Sequence, residues 1–294
     1  MNYSIIHDFH DIHDFHDFHD ICAMSLLLDH IVIRVHDLTQ TIEDFTALGF
    51  TVQQGGTHAD GVTHNALIGF ADGSYIELIA FLQAAPQRRW WNVGQRYGDG
   101  FVDYALLPSS VGAVIDAAHG RGLQYDGPQA GGRVRPDGAR LEWQTGRPRT
   151  NDLPFLCGDV TPRELRVAEG AVREHANGVR GVASLTVAVE DLKVSLQRYR
   201  ALLGVSEQET RVVALPGLGA VSATVSVGDT SVVLLSPVRV DAASVTTEGA
   251  ALRRQLATRG EGVFGVALRA DGHAESRVLD RERTHGAWFE IAAG

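Results

Sequence analysis

A carboxylate stands in the middle of the apolar run YIELIAF, Tyr75 to Phe81. Burying Glu77 in such a strand is costly unless a cation or a proton compensates it. A second polar intruder is His30, within LLLDHIVIRV, Leu26 to Val35. Strand alternation puts His30 opposite Asp29 and Ile31 and on the same face as Val32. A ring so placed can be a ligand, or a buried imidazole bonded to backbone or water. His64 opens a third run, THNALI, where it could act on a ligand or hold the turn with Asn65. Metal chemistry of a cruder kind is suggested by HDFHDIHDFHDFHD, His7 to Asp20, which repeats a His-Asp pair every third residue. His-rich tracts do bind metal. A period of three suits neither a helix nor a strand, however, so these imidazoles share no fixed face.

The elements that must position Glu77 and His30 are legible around them. Leu26 to Val35 reads as a buried β-branched strand. Asp37 is placed to cap a helix whose apolar face is Leu38, Ile42, Phe45 and Leu48, ended by Gly49. FTVQQGGTH, THNALIGF and SYIELIAF follow as three strands, separated by turns at 58–61 and 71–73. In this reading His58, in the first turn, and His36, beside the cap, face solvent. The resulting βαβββ unit leaves a sheet face needing cover, and the unit recurs. Phe101 to Val160 is a second copy. GVASLTVAVEDLKVSLQRYRALLGV opens a third, in which VAVEDL echoes IRVHDL, and a fourth, truncated copy starts at Gly262.

Composition agrees with a two-domain chain. It has 294 residues, 44% of them hydrophobic, enough for a sizeable core. The expected division is a tail at 1–23, a first domain of two modules at 24–165, a linker at 166–179 and a degenerate second domain at 180–294. The tail contains five Asp and no Glu, Lys or Arg, so it carries half of the net charge of −10. Its Ile, Phe, Asn and Tyr contrast with a body in which Lys193 is the single lysine among 26 basic residues. The tail is expected to be disordered or spurious, with Met24 the natural start. No basic patch suggests nucleic acid, and no apolar run approaches the roughly 20 residues of a membrane span. With Cys22 and Cys157 the only cysteines, no disulfide framework is possible, and a cytoplasmic location is expected. No dinucleotide fingerprint, phosphate loop or nucleophile elbow occurs, so no nucleotide cofactor is expected.

The βαβββ repeat, with LDHIVI, GVTHNALI and SYIELIAF, resembles the vicinal oxygen chelate superfamily and, within it, bacterial glyoxalase-like domain proteins. The resemblance is sharpest over residues 26 to 82. It implies an α+β fold of repeated βαβββ modules, paired into two cup-shaped mixed sheets with helices packed outside. It also implies that the first and last strands of a module are neighbours, so that His30 and Glu77 point into one cup and share a divalent metal or a catalytic water. His64 would complete two histidines and one carboxylate, a set that leaves open positions on an octahedral ion and accepts iron, zinc, nickel, cobalt or manganese. Glyoxalase I enzymes take four ligands from two modules, and the other modules here do not supply them. Tyr104 is read at the His30 position of the second module and Ser184 in the third; the fourth offers Gly265 and Glu290. The glutathione-dependent isomerase reaction is therefore not expected.

QRRWWN, after the last strand of the first module, offers Arg88, Trp90 and Trp91 as pocket walls or anion holders for a small substrate, with Asn65 beside them. The same residues suit an interface between modules. Arg133, Arg135 and Arg140 are further candidates of that kind. Two functions fit: a metal-dependent isomerase, lyase or dioxygenase acting on a small oxygen-rich substrate, and a metal-free protein that binds or sequesters a small molecule. A homodimer is compatible with either.

Overall fold

The computed structural model describes residues 26–205, 210–239, 245–271 and 276–292. The His-Asp repeat, Cys22 and Met24 lie outside these residues. The chain opens with β1 (Leu27–Arg34), α1 (Leu38–Ala47), β2 (Gln53–His58), β3 (Thr63–Gly69) and β4 (Tyr75–Phe81). Asp37 caps α1 by accepting from the Gln40 N–H, and Leu38, Thr41 and Phe45 are its buried residues. Then come α2 (Arg89–Tyr97), β5 (Gly100–Leu107), α3 (Val111–Gly120), β6 (Tyr125–Val134), β7 (Arg140–Pro148) and β8 (Phe155–Asp159). Ser110 caps α3 as Asp37 caps α1.

These eight strands close into a barrel in the order β1-β4-β3-β2-β6-β7-β8-β5. Two seams join the βαβββ units. One is the antiparallel β1·β5 pair, and the other is a short β2·β6 contact that includes His58 opposite Arg133. The connection carries α4 (Arg163–Arg166) and leads to β9 (Val179–Ala188), α5 (Leu192–Leu203), β10 (Val212–Leu215), β11 (Ala220–Val227), β12 (Thr230–Pro237), α6 (Thr247–Thr258), β13 (Gly262–Ala270), β14 (Arg277–Val278) and β15 (Phe289–Ala292). The second sheet stays open, ordered β10-β11-β12-β9-β13-β15-β14. The α+β architecture of repeated βαβββ modules is thus present.

Two apolar faces explain the layering. Ile31, Ile33, Ile76 and Leu78 belong to a core shared with Leu185, Val187, Val232 and Leu234 of the second sheet. Alternate residues of the first sheet, Val32, Ile79, Ala105 and Phe155, point into the barrel instead. Leu252 of α6 is fully buried among Ala188, Ala220 and Leu235, with Leu256 and Phe264 against them. This cluster lies on the face of the second sheet opposite the one shared with the first barrel.

Candidate functional site

The interior of the first barrel opens into a cavity of about 650 Å³ whose lining includes His30, Asn65, Glu77, Arg88 and Trp90. His30 reaches it by a local irregularity. The β1·β5 register runs Leu28↔Leu106 and then His30↔Ala105, so Asp29 is an extra residue in the ladder. This overturns the expectation that Asp29 and His30 face apart. Both side chains are buried on one side, and Asp29 Oδ2 takes the His30 Nδ1 at 2.7 Å. A carboxylate there fixes the ring with Nδ1 protonated and turns the Nε2 lone pair towards the cavity.

Asp29 is itself held by charge. Arg166 donates to both its oxygens, at 2.7 and 3.1 Å, and Arg163 to one, at 2.7 Å. Burial raises its pKa, but Arg166, His30 and Arg163 outweigh that and keep it well below the ordinary carboxylate range. The two arginines belong to α4, the helix that leaves the barrel, and both also grip Asp159.

Glu77 pairs across β4 with Val32 of β1 and Leu67 of β3. It is 7% exposed. Its one side-chain hydrogen bond among the described residues comes from Asn65 Nδ2 at 2.6 Å, and its ion-pair partners are two imidazoles, not a guanidinium. His30 Nε2 lies 3.6 Å from Oε2, and His58 Nε2 lies 3.6 Å from Oε1. Both gaps exceed a hydrogen bond.

His58, read from the sequence as a solvent-facing turn residue, is therefore part of the site. Gly55 is an extra residue between the Gln54↔Ala66 and Gly56↔Asn65 pairs, and Gly56 has φ +130°. The bulge sets the end of β2 so that Thr57 opposes His64 and His58 comes beside Thr63, whose hydroxyl lies 2.8 Å from His58 Nδ1. Thr63 and Asn65 face inward, so His64 between them faces outward with the exposed Thr57, and it does not line the cavity. Burial and the charge of His58 lower its pKa. The signal that could have revealed His58 was the Gly55-Gly56 pair ahead of it, which marks a bulge where the ladder bends.

The second module supplies no matching ligands. The β1·β5 pairing sets Val32 against Asp103 and His30 against Ala105, so the pseudo-twofold partner of His30 is Asp103, not Tyr104. Tyr104 lies on the opposite face, hydroxyl to hydroxyl with Tyr199. By the β5·β8 register, Phe155 stands where Glu77 does. Asp103 is occupied by Arg89 at 2.7 Å and Trp90 Nε1 at 3.0 Å. Trp91 leaves the cavity to pack edge-on against Phe81, and Arg88 pairs with Asp60 at the rim. Arg133 lines the cavity but is bonded to the Gly55 and Arg166 carbonyls, and Arg135 pairs with Asp137.

Two donor groups can be weighed for a cation. Among the described residues, Asp29, His30 and Cys157 bring ligand atoms within 4.8 Å of one another. The carboxylate of that trio is already taken by two guanidiniums, and burial pushes the Cys157 thiol far up, so it stays neutral. His30, Glu77 and His58 do not close to the same degree, because the imidazoles lie against different carboxylate oxygens. In chemistry they fit a divalent ion. A buried carboxylate with no cationic side chain bonded to it faces the free Nε2 of an oriented histidine.

The sequence model of a family described as a glyoxalase-like domain matches residues 28–203. A search of curated proteins gives no significant match. The fold is similar to the crystal structure of a hypothetical protein from Staphylococcus aureus, at TM-score 0.66 and 13% identity, covering 92% of this chain and 100% of that one. A triple mutant of 4-hydroxymandelate synthase from Streptomyces coelicolor aligns at TM-score 0.55 and 14% identity, over 84% and 72% of the two chains. A xylose isomerase-like TIM barrel/4-hydroxyphenylpyruvate dioxygenase fusion protein aligns at 0.50 and 17%, over 85% of this chain and 37% of the other.

Proposed function

Because this chain belongs to the glyoxalase-like domain family, we propose that its first barrel is a metal-dependent active site for a small oxygen-rich substrate, with His30 and Glu77 as the ligand pair and His58 as the third donor. The observation that carries this reading is Glu77, a carboxylate 7% exposed that has two imidazoles and an amide around it and no guanidinium bonded to it. A divalent ion held there would act as a Lewis acid on two neighbouring substrate oxygens. The remaining work falls to the chain. Asp29 holds the His30 tautomer, Asn65 orients the Glu77 carboxylate, and Tyr75, stacked on His30 at 4.6 Å, walls the ring from water. The names of the two dioxygenase and synthase neighbours support an oxygen-rich substrate; isomerisation, lyase and dioxygenase chemistry are all compatible with the donor set.

One observation favours the metal-free alternative, a binding protein using the same cavity: His30 and His58 approach opposite oxygens of Glu77. Titration of the full chain with Mn²⁺, followed by electron paramagnetic resonance, separates the two. The enzyme reading expects one saturable site per chain, lost in Glu77→Gln. Absence of saturable binding for Mn²⁺ and, by isothermal titration, for Zn²⁺, Co²⁺, Ni²⁺ and Fe²⁺ leaves the binding protein.

A further inference from the structure

Five arginines line the cavity, and four of them are committed. Arg88 is paired with Asp60, Arg89 with Asp103, Arg133 with two backbone carbonyls, and Arg166 with Asp29 and Asp159. Arg147 is different. It stands on β7 on the same face as Thr145 and Trp143, two and four residues back, and all three line the cavity. Its guanidinium lies over the rings of Trp90, at 5.2 Å, and Phe155, at 4.9 Å, with no carboxylate or carbonyl partner among the described residues. Beyond the same strand, Thr150 also lines the cavity, and its buried hydroxyl has no hydrogen-bond partner.

We infer that Arg147 is the specificity-determining residue of this cavity, holding the carboxylate of a small, partly aromatic organic acid whose other oxygens reach the His30 and Glu77 end. One ring touches both ends: Phe155 meets His30 in a T-shaped contact at 5.3 Å and carries Arg147 at 4.9 Å. One free guanidinium matches one negative charge, which favours a carboxylate over a phosphate dianion. Trp90, Trp143 and Phe155 supply flat walls for an apolar body, and the guanidinium of Arg147, an exposed residue of the cavity lining, rests on two of them. Arg88, the arginine favoured by the sequence, is spent at the rim.

This inference rests on the cavity reading proposed above, but it is tested without needing the metal. Isothermal titration of the full chain compares 4-hydroxybenzoate, which carries its second oxygen across the ring from the carboxylate, with its neutral analogue 4-hydroxybenzamide, once in EDTA and once with Mn²⁺. A charge-assisted bond predicts that the acid binds about 10- to 100-fold more tightly than the amide. Arg147→Gln should bring the two within about twofold by weakening the acid alone. Arg149→Gln, whose arginine pairs outside the cavity with Asp126, should keep the wild-type ratio. An unchanged ratio in Arg147→Gln, no acid preference in the wild type, or tighter binding of 4-hydroxyphenyl phosphate than of 4-hydroxybenzoate would each overturn the assignment. Loss of acid preference in Arg147→Gln with EDTA present upholds it even if Mn²⁺ does not bind, in which case the metal reading alone fails.

Discussion

Asp29 decides what His30 can do. Its carboxylate accepts a hydrogen bond from the His30 Nδ1–H, and two arginines keep it ionised. Asp29→Asn should therefore reduce divalent-ion affinity by about 10- to 100-fold, the usual cost of losing a carboxylate behind a metal-binding histidine. It should also leave Arg166 undercompensated in the interior, costing about 3–5 kcal/mol by chemical denaturation. Retained affinity together with retained stability would contradict this role. The pH dependence follows from the lowered Asp29 pKa. That stabilisation is complete above the unfolded carboxylate range near ~3.9 and is lost as pH falls through the folded value. At this scale the sequence revealed Glu77 and His30 through polarity inside apolar runs. It misplaced Asp29, because a bulge breaks the alternation on which the reading relied, and nothing local announces that extra residue.

The elements around the site work through similar irregularities. Gly55 sits against the Asn65 carboxamide, and a Cβ at that position would collide with it. Gly55→Ala should displace Asn65 from Glu77 and destabilise the barrel by about 1–3 kcal/mol, measured as a lower midpoint in urea. A wild-type midpoint would show that the β2 bulge does not hold Asn65. The strand and helix pattern of the first module was readable from β-branching, caps and glycines, down to the Asp37 cap. His58 lines the cavity and His64 does not, because β2 bulges and then meets β6 across the barrel seam, a pairing of residues about 75 positions apart that no local pattern encodes. Helix α6 was missed as well; it buries Leu252 against Ala188, Ala220 and Leu235 of the second sheet.

Across the whole molecule, the truncated fourth module returns to the first. His285 has φ +52° and contacts Asp99 at 3.3 Å and Asp44 at 3.1 Å, the latter on α1. Its pKa is raised, first by the hydrogen bond to Asp99, against the effect of burial. A raised folded value means this contribution is complete below about 6.5 and is lost as pH rises through the folded pKa. The Tm difference between wild type and His285→Asn, a residue that tolerates positive φ, should thus be wider at pH 6 than at pH 9. An equal or wider gap at pH 9 would refute that coupling. Repetition made the paired modules legible, whereas contacts such as His285 with α1 depend on how copies pack and leave no period in the chain.

The central claim is that Glu77, His30 and His58 form one cation site while His64 stands outside it. Its most direct test is metal content by inductively coupled plasma mass spectrometry on the full chain and on four alanine variants, at positions 30, 58, 64 and 77. The account predicts close to one transition-metal equivalent in the wild type and His64→Ala, and a large loss in His30→Ala, His58→Ala and Glu77→Ala. Metal lost in His64→Ala but kept in His58→Ala, or content unaffected by Glu77→Ala, would contradict it.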